Sequence, residues 1–518
     1  SVRTRFSCCL LLFAMAGLGI ARSQDSTSPI AADKIQSNQS DPATELSGAA
    51  ASADFDSLID LIQSTVAYDT WSENGTGDGE ITPFAINGIY ADPQGTLRFA
   101  RNLDIAEFPS SEYPADTKAA VSNARQASPL RFVSLPRLEK AIRNRQQNHA
   151  PLLPEMLTLA GLERIEYVIV SPKTSEILLA GPAGDWRLDE ARRLVSVATG
   201  RPVVRLDDLL TLWRREDFGL KPFGCSIVPR QQSLARTQEF LAASASHELE
   251  PSQRRTWLAD LRKSLGKQDV KYFGLPPDSH VAAVLLLADY HMKLIGMGLA
   301  EGTPGVESYL ETVTPMPDGS APPMSVLRWW FAMNYPSVES DAERELYRIP
   351  HTGVQVLSEN EFLATRGERI HTNQSDELNS RFAASFTTEF AAISGKFPLY
   401  TELQNVFDIA LVLAVLQKEN LLQRTGWSPT LFTQSAELQL PKMRVPQEVE
   451  SVINHRILNR RHLIVGVSGG VWVDPSKSLR VETTSKNQVR LKANARGNTP
   501  DQQRWWWDEA DSADSQVE

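Results

Sequence analysis

Cysteine is scarce in this chain, with three among 518 residues. Cys8 and Cys9 lie in an apolar run near the start, which leaves Cys225 alone in the remainder. Beyond that run no internal disulfide can form, so a small disulfide-stapled fold is excluded. A chain of this length buries a large core without such bonds. We expect Cys225, in a predicted strand, to be a small buried hydrophobe rather than a nucleophile.

An excess of basic charge is also absent. The formal net charge is -10 and the sequence pI is about 5.5. Proteins that bind nucleic acids or anionic membranes non-specifically need a basic face, so we expect no nucleic-acid partner. The most basic helical pattern carries Arg137, Lys140, Arg143 and Arg145, and we interpret it as a solvated helix face.

Motifs for metals and phosphates are missing. The sequence has no His-Glu-x-x-His and no Cys-x-x-Cys, and its eight histidines are scattered. His280 and His291 lie on one predicted helix, but eleven residues apart, so they cannot share an ion without other ligands. The loop 75–79 lacks the glycine spacing of a phosphate-binding turn. We therefore expect no metal and no cofactor.

The segment 466–470, Gly-Val-Ser-Gly-Gly, formally matches the Gly-x-Ser-x-Gly of hydrolases. A nucleophile elbow needs a helix after the serine, whereas β-forming residues 471–473 follow here. No histidine follows His462, although α/β-hydrolases place theirs after the serine. We interpret this segment as a turn or bulge that glycine permits.

A hydrophobic run near the start of the chain predicts export. Arg3 and Arg5 precede the apolar run Cys8–Ala16, and Ala21-Arg22-Ser23 has small residues where a signal peptidase requires them. The run is too short for a stable transmembrane helix. We therefore predict a signal peptide, a periplasmic or extracellular location, and no membrane span after its removal.

Composition and hydrophobic patterning divide the chain further. The predicted segments are a signal peptide over 1–23, a disordered linker over 24–53, an N-terminal helix plus β-hairpin module over 54–108, a linker over 109–128, an α+β module with a central hairpin over 129–240, a helical and β C-terminal domain over 241–496, and an acidic disordered tail over 497–518. The predicted fold class is α+β, with β-hairpin modules near both ends of a mainly helical middle, after a signal peptide and flexible linker.

Three segments share a pattern that predicts hairpins. Each has a β-rich run, then Asp-Pro or Ser-Pro, then a polar turn and further β-rich residues; they are Gly88–Leu97, Tyr167–Leu178 and Val471–Leu479. Hydrophobic periodicity predicts helices over 54–66, 236–245, 253–265, 279–299, 377–393 and 399–418, and strands over 326–334, 346–350 and 353–357. Asp278 is the predicted N-cap of helix 279–299.

The densest cluster of polar and aromatic residues supplies the candidate site. The candidate catalytic residues are Asp289, His291, Lys293 and Arg328, and the candidate binding residues are Trp329, Trp330, Trp505, Trp506 and Trp507. Asp289 and Lys293 are four residues apart and can pair on one helix face. A satisfied ion pair beside core aromatics explains the same residues, and we favour it over catalysis. The three consecutive tryptophans either fold back onto the body or dock on a partner.

Several segments resemble domain-of-unknown-function family 1598, uncharacterised exported planctomycete proteins. The residues that carry the resemblance are Asp54–Ile62 with Asp69-Thr70-Trp71, Ala288–Lys293, Arg328–Tyr335, and Phe397-Pro398 with Leu403–Asp408. The likeness extends from about Asp54 to Asp474. It implies an envelope or periplasmic setting and gives no catalytic residue to carry over.

These observations favour an exported, soluble cell-envelope protein that acts as a non-enzymatic protein-interaction or structural component, with other envelope proteins as partners. The alternative is an exported hydrolase of unrecognised type with its site near Asp289 and Arg328. A third hypothesis is a cation- or glycan-binding module that uses the aromatic-rich strands. The sequence leaves the biochemical activity and the oligomeric state open.

Overall fold

The computed structural model describes residues 90–91, 97–98, 123–216, 220–244, 253–315, 317, 325–363, 368–433, 437–458 and 461–484. The predicted signal peptide over 1–23, the predicted linker over 24–53, the predicted helix over 54–66 and the predicted tail over 497–518 lie outside these residues. The predicted linker over 109–128 lies outside them as far as residue 122. Among its last residues, Asn123–Arg125 form a 3-10 helix with Ala124 buried, and Ser128 begins a strand.

The described part contains both helices and strands, as an α+β fold requires. The helices are α1 Leu135–Gln147, α2 Pro154–Leu157, α3 Leu206–Trp213, α4 Gln231–Ser244, α5 Arg254–Leu265, α6 His280–Gly296, α7 Tyr309–Thr312, α8 Glu377–Thr388, α9 Phe390–Lys396, α10 Pro398–Lys418, α11 Leu421–Thr425, α12 Thr430–Thr433 and α13 Pro475–Ser478. The strands are β1 Tyr90–Ala91, β2 Leu97–Arg98, β3 Ser128–Ser134, β4 Tyr167–Ser171, β5 Glu176–Ala183, β6 Trp186–Leu188, β7 Leu194–Ser196, β8 Phe223–Pro229, β9 Lys267–Phe273, β10 Ser325–Met333, β11 Val338–Ser340, β12 Leu346–Arg348, β13 Val354–Leu363, β14 Arg369–His371, β15 Glu448–Glu450, β16 Ile453–Leu458, β17 Arg461–Val473 and β18 Val481–Thr483.

A large sheet forms the centre of the fold, in the order β14-β13-β10-β17-β8-β9-β15, with β16 also paired to β17. Its longest strand, β17, runs parallel to β10, with Ala332 opposite Trp472. On its other side β17 pairs antiparallel with β16 near its start and with β8 near its end. The sheet therefore joins strands that are up to 250 residues apart in sequence, such as β8 and β17.

A smaller sheet has the order β18-β11-β12-β4-β5-β3 and also combines early and late strands. Two predicted hairpins are confirmed. Strands β4 and β5 pair across the turn Pro172–Thr174, and β1 pairs with β2 through Tyr90 and Arg98.

The third predicted hairpin, Val471–Leu479, is wrong. The Asp474 side chain accepts a hydrogen bond from the Lys477 amide and starts the short helix α13, with Pro475 at its first turn. The chain then continues into β18, which pairs parallel with β11 rather than turning back onto β17. Asp-Pro suits a helix start as well as a hairpin turn, because proline is tolerated in the first turn of a helix.

The predicted helices 236–245, 253–265 and 279–299 are present with slightly different ends as α4, α5 and α6. The N-cap of α6 is Ser279 rather than Asp278, because the Ser279 hydroxyl accepts from the Ala282 amide. The predicted helix 377–393 is divided at Glu389 into α8 and α9.

Helix α10 is long and apolar enough to cross a membrane by length and composition, and among the described residues no other helix meets that test. In the structure 94% of its apolar window is buried inside the protein. It packs against α3, α6 and α9, so its hydrophobicity has an explanation in the core.

The prediction of a turn or bulge at 466–470 is wrong, because all five residues lie inside β17 and pair with β10 in unbroken register. A side chain at Gly469 would place its Cβ 1.8 Å from the carbonyl oxygen of Trp329 on β10. At Gly470, where φ is 147°, it would lie 2.1 Å from the Cys225 carbonyl oxygen. These two glycines therefore allow close approach of neighbouring strands rather than a reversal of the chain.

Candidate functional site

The two faces of the large sheet have different surroundings. Alternate residues of a strand point to opposite faces. We call inner the face that carries Trp329 and Phe331, which pack on Phe382 and Phe386 of α8. We call outer the opposite face, which carries Arg328 and its neighbours Trp330 and Ser468.

Asp289 and Lys293 form an ion pair under the inner face, as the spacing predicts. Lys293 Nζ lies 2.6 Å from Asp289 Oδ2, and both side chains are fully buried. The Gly470 amide donates to Asp289 Oδ1 at 2.7 Å. Burial raises the pKa of Asp289 and lowers the pKa of Lys293, since each loses water around its charged form. With no solvent access and each charge committed to the other, the pair ties α6 to the sheet and offers a substrate no approach.

His291 lies in an aromatic pocket of the core. Its Nδ1 is 2.9 Å from the Tyr400 hydroxyl, and its ring packs edge-on against Phe397. Burial lowers the pKa of His291 to about 3, so the ring is neutral at physiological pH. A neutral, enclosed imidazole of this kind supports packing rather than proton transfer.

The two adjacent tryptophans are separated by the sheet. Trp329 is fully buried on the inner face, where its indole N–H donates to Asn379 Oδ1 at 2.6 Å. Trp330 is partly exposed on the outer face, with the Arg328 guanidinium 4.5 Å from its ring centre. The predicted cluster is thus divided: Arg328 and Trp330 do not share a face with Asp289.

The outer face holds a cluster of charged residues that we call the outer polar cluster, and it was not predicted from the sequence. Its members are Arg328, Glu359, Glu361, Arg369, His371 and Ser468. Arg328 donates to Glu359 at 3.0 Å, and Arg369 Nε donates to Glu361 at 2.7 Å. Ser468 accepts from Arg369 at 2.8 Å. Two guanidinium groups thus balance the two buried carboxylates.

His371 lies between the two carboxylates of this cluster. Its Nδ1 is 3.2 Å from one oxygen of Glu359 and 3.2 Å from one oxygen of Glu361. Within the described part of the chain this trio has metal-ligand types close enough together to hold an ion. Arg328 and Arg369 already neutralise both carboxylates, however, and would repel a divalent cation. The arrangement suits a self-contained ion-pair network better than a metal site.

The charge of Glu359 is stabilised in spite of its burial. Burial alone would raise the pKa of Glu359, but hydrogen bonds from the Asn373 amide, Arg328 and His371 together lower it below its ordinary value. Glu359 therefore stays ionised and cannot serve as a proton donor near neutral pH.

Two apolar surfaces adjoin the outer polar cluster. On one side, α4 and α5 meet the sheet around a small apolar recess; its lining includes Leu234, Leu265, Val326, Ile453 and Gly466. Ser468 of the cluster is also part of this lining. The recess therefore lies directly beside the charged groups.

The other side is an exposed surface of large apolar side chains that we call the aromatic surface. It consists of Trp330, Leu357, Trp472 and Phe273. Leu357 lies opposite Trp330 in the strand register. The ring centres of Trp472 and Phe273 are 5.0 Å apart. Trp472 is 45% exposed and Leu357 is 37% exposed. The aromatic surface therefore leaves neighbouring apolar side chains in contact with water on one face of the sheet.

A second buried polar network lies away from this sheet face. His280 Nδ1 is 2.9 Å from Asp208 Oδ1, and its Nε2 is 3.7 Å from Glu402 Oε1. Glu402 also pairs with Arg193 at 3.2 Å. These contacts link the β6–β7 hairpin, α3, α6 and α10. Because the groups are buried and mutually paired, we interpret the network as structural.

Some signal for the missed residues exists in the sequence. Glu359 and Glu361 are two residues apart in β13, which places two acids on one face of a strand. Trp472 lies between Val471 and Val473, so its side chain points to the face opposite theirs. Nothing local indicates that Arg369 and His371 lie opposite those acids, because that depends on the pairing of β13 with β14.

The comparisons with known proteins support the family expected from the residues, over one segment. No curated protein and no solved structure matches the chain. The matched segment extends from Cys225 in β8 to Tyr309 in α7, so it includes Asp289, His291 and Lys293 but not the aromatic surface. Over residues 225–309 the chain matches the family described as a protein of unknown function, DUF1598.

Proposed function

We propose that this protein is a non-enzymatic interaction component of the cell envelope that binds a partner protein through the aromatic surface. The observation that carries the proposal is the exposure of Trp472 and Leu357 beside Trp330 on the outer face of the sheet. Protein–protein interfaces are enriched in tryptophan, phenylalanine and arginine, and tryptophan often supplies most of the binding energy.

The ionisable groups of both clusters favour binding over catalysis. Asp289 is committed to Lys293, Glu359 to Arg328 and Glu361 to Arg369. A general acid or base must reach a substrate atom and exchange a proton with it. A carboxylate held in an ion pair with a basic partner is poorly placed for that task. No observation in the described part of the chain favours a hydrolase site at Asp289 and Arg328.

Export is part of the same proposal and is supported by the apolar run 8–16 and the small residues before Gln24. We expect protein recovered from the envelope fraction of the producing organism to begin at Gln24, as measured by intact mass and N-terminal sequencing. Recovery from the cytoplasm with residues 1–23 intact would contradict this part.

The partner is sought by quantitative pull-down of the tagged protein from the envelope fraction, followed by mass spectrometry. Three baits are compared: the parent chain, Trp472→Ser, and Ile370→Ser as the matched control. Ile370 is 52% exposed on β14 and is not part of the aromatic surface.

We expect one stoichiometric partner that the parent chain and the Ile370→Ser control retain equally. Trp472→Ser should weaken its binding about 30-fold, corresponding to a loss of about 2 kcal/mol for an interface tryptophan. Equal capture by all three baits would place the interface elsewhere and reject the proposed surface.

A further inference from the structure

We infer that the aromatic surface is covered by the chain's own residues 501–511, which carry Trp505, Trp506 and Trp507. We call these residues the tryptophan segment. The inference rests on the proposed function, because it assigns the regulation of the same surface. Bound there, the tryptophan segment would mask the surface until a partner displaces it.

The first argument is the position from which the segment leaves the fold. Residues 485–518 follow β18. Val481 of β18 pairs with Val338 of β11. Val338 lies six residues beyond Ala332, which pairs with Trp472. Six residues span at most roughly 20 Å, and each pairing adds roughly 5 Å. Val481 therefore lies within roughly 30 Å of Trp472, at one end of the aromatic surface.

The second argument is reach. Twenty residues, 485–504, separate β18 and its following residue from Trp505. A chain of that length spans up to roughly 70 Å when extended. The tryptophans can therefore reach every part of the aromatic surface without any change in the fold.

The third argument is chemical complementarity. The tryptophan segment is apolar at its centre and acidic at its ends, with Asp501 before the tryptophans and Asp508, Glu509 and Asp511 after them. On the sheet, Lys271 is exposed on β9. It lies two residues from Phe273 and therefore on the same face. Indole rings on apolar side chains and carboxylates near an exposed ammonium group are mutually favourable.

The consequence follows from tethering. A tethered segment competes at an effective concentration that reaches the millimolar range for short flexible linkers. Even a weak contact then occupies the surface for much of the time. A partner must displace the segment, so replacing all three tryptophans with serine should strengthen partner binding. Removing the surface itself, by Trp472→Ser, should weaken it.

The test measures cross-linking between the tryptophan segment and the aromatic surface in the full chain. It requires no partner protein. Cys8 and Cys9 are replaced by serine, and buried Cys225 is retained. Cysteines are introduced as Leu357→Cys with Arg504→Cys, and the pair is joined with a short bis-maleimide. The control pair is Ile370→Cys with Arg504→Cys. Peptide mass spectrometry measures the linked fraction in a mixture of isotopically heavy and light chains.

We expect links within one chain, at least about fivefold more abundant for Leu357→Cys than for Ile370→Cys, as expected from a raised effective concentration. Replacing the three tryptophans with serine should remove the difference. Equal yields for the two pairs, or yields that survive the serine replacements, would overturn the inference. Links only between heavy and light chains would also overturn it, since they would identify a second copy as the occupant.

A second pair keeps the result independent of the Leu357 substitution. Lys271→Cys with Arg504→Cys samples the other side of the same surface at an exposed position. Both pairs should agree. If linking succeeds but the pull-down finds no partner, the inference about the segment stands and the proposed function fails. If linking fails while a partner binds through Trp472, the proposed function stands and the inference about the tryptophan segment fails.

Discussion

Trp329 and Trp330 are neighbours in sequence, yet the sheet sends them to opposite environments. Trp329 is fully buried with its indole N–H bonded to Asn379, whereas Trp330 is partly exposed beneath Arg328. The charged groups divide in the same way. Asp289 and Lys293 are sealed under the inner face, and the outer polar cluster reaches the solvent through His371, whose side chain is 52% exposed. The inner face thus packs into the core, and the outer face keeps charged and apolar side chains in contact with water.

The largest expected difference between the faces concerns the two tryptophans. Trp329→Ala should cost about 3–5 kcal/mol in the free energy of unfolding, because it leaves a cavity in the core. Trp330→Ala should cost less than half as much, since part of its ring already contacts water. Urea unfolding followed by circular dichroism measures both values, and equal losses would contradict the division.

The ion pairs should differ in the same direction. Lys293→Met leaves the buried Asp289 charge without its counter-ion and should cost about 3–5 kcal/mol. Arg328→Met should cost about 1–2 kcal/mol, because Glu359 keeps its hydrogen bonds from the Asn373 amide and His371.

The double variant Asp289→Leu with Lys293→Met is the control for the buried pair. It removes both charges, and apolar replacement of a buried ion pair is often close to neutral. It should therefore recover much of the stability that Lys293→Met loses. If the double variant is as unstable as Lys293→Met, the loss of stability comes from the changed packing of the side chains and not from the unpaired charge.

The pH dependence of stability should be set partly by Asp408 on α10. The Tyr335 hydroxyl donates to this carboxyl at 2.5 Å, and burial raises the pKa of Asp408 to about 7. The unfolded value is about 3.9. Folding therefore favours the protonated form, and stability should fall as the pH rises from about 4 to about 7, by up to about 4 kcal/mol.

Asp408→Asn should flatten that part of the profile and leave the variant more stable than the parent at pH 8. Urea unfolding at a series of pH values measures the effect. Tyr335→Phe removes a hydrogen bond that lowers the pKa of Asp408, so the fall should move to higher pH. Glu359 on the outer face has a lowered pKa, and its contribution should instead be lost as the pH falls. A parent profile without a fall between pH 4 and 7 would reject this role for Asp408.

The smallest expected difference in stability is between alanine substitutions at two glycines of β17. Gly469→Ala would press its Cβ against the Trp329 carbonyl oxygen and should cost about 1–3 kcal/mol. Gly466→Ala meets nothing within 4 Å and should change stability by less than about 0.5 kcal/mol. Thermal unfolding of both variants measures the difference. Equal effects would mean that the strands can separate at Gly469 at little cost.

Local sequence patterns predicted the positions of helices and strands better than they predicted which strands pair. The periodicity of 279–299 gave α6, and the spacing of Asp289 and Lys293 gave their ion pair, because both depend on residues within a few turns of one another. The hairpin Tyr167–Leu178 was predictable for the same reason. The segment Val471–Leu479 has a similar turn signal but continues through α13 into β18, which pairs with β11, a strand more than 130 residues earlier.

The candidate site shows the same limit. Arg328 was grouped with Asp289 on residue type, but strand alternation places it across the sheet. The outer polar cluster combines residues from β10, β13, β14 and β17, and its pairs follow from strand register rather than from any local motif.

The sequence by itself determined the α+β composition, the buried character of α6, the lack of a buildable internal disulfide beyond Cys9, and the family matched by residues 225–309. Only the tertiary structure decided which tryptophan is buried, which acids share a face, and which apolar side chains stay exposed. The physical reason is that helix periodicity and ion pairs within a helix depend on neighbouring residues. Strand pairing joins distant segments, and one residue of register exchanges the two faces of a sheet.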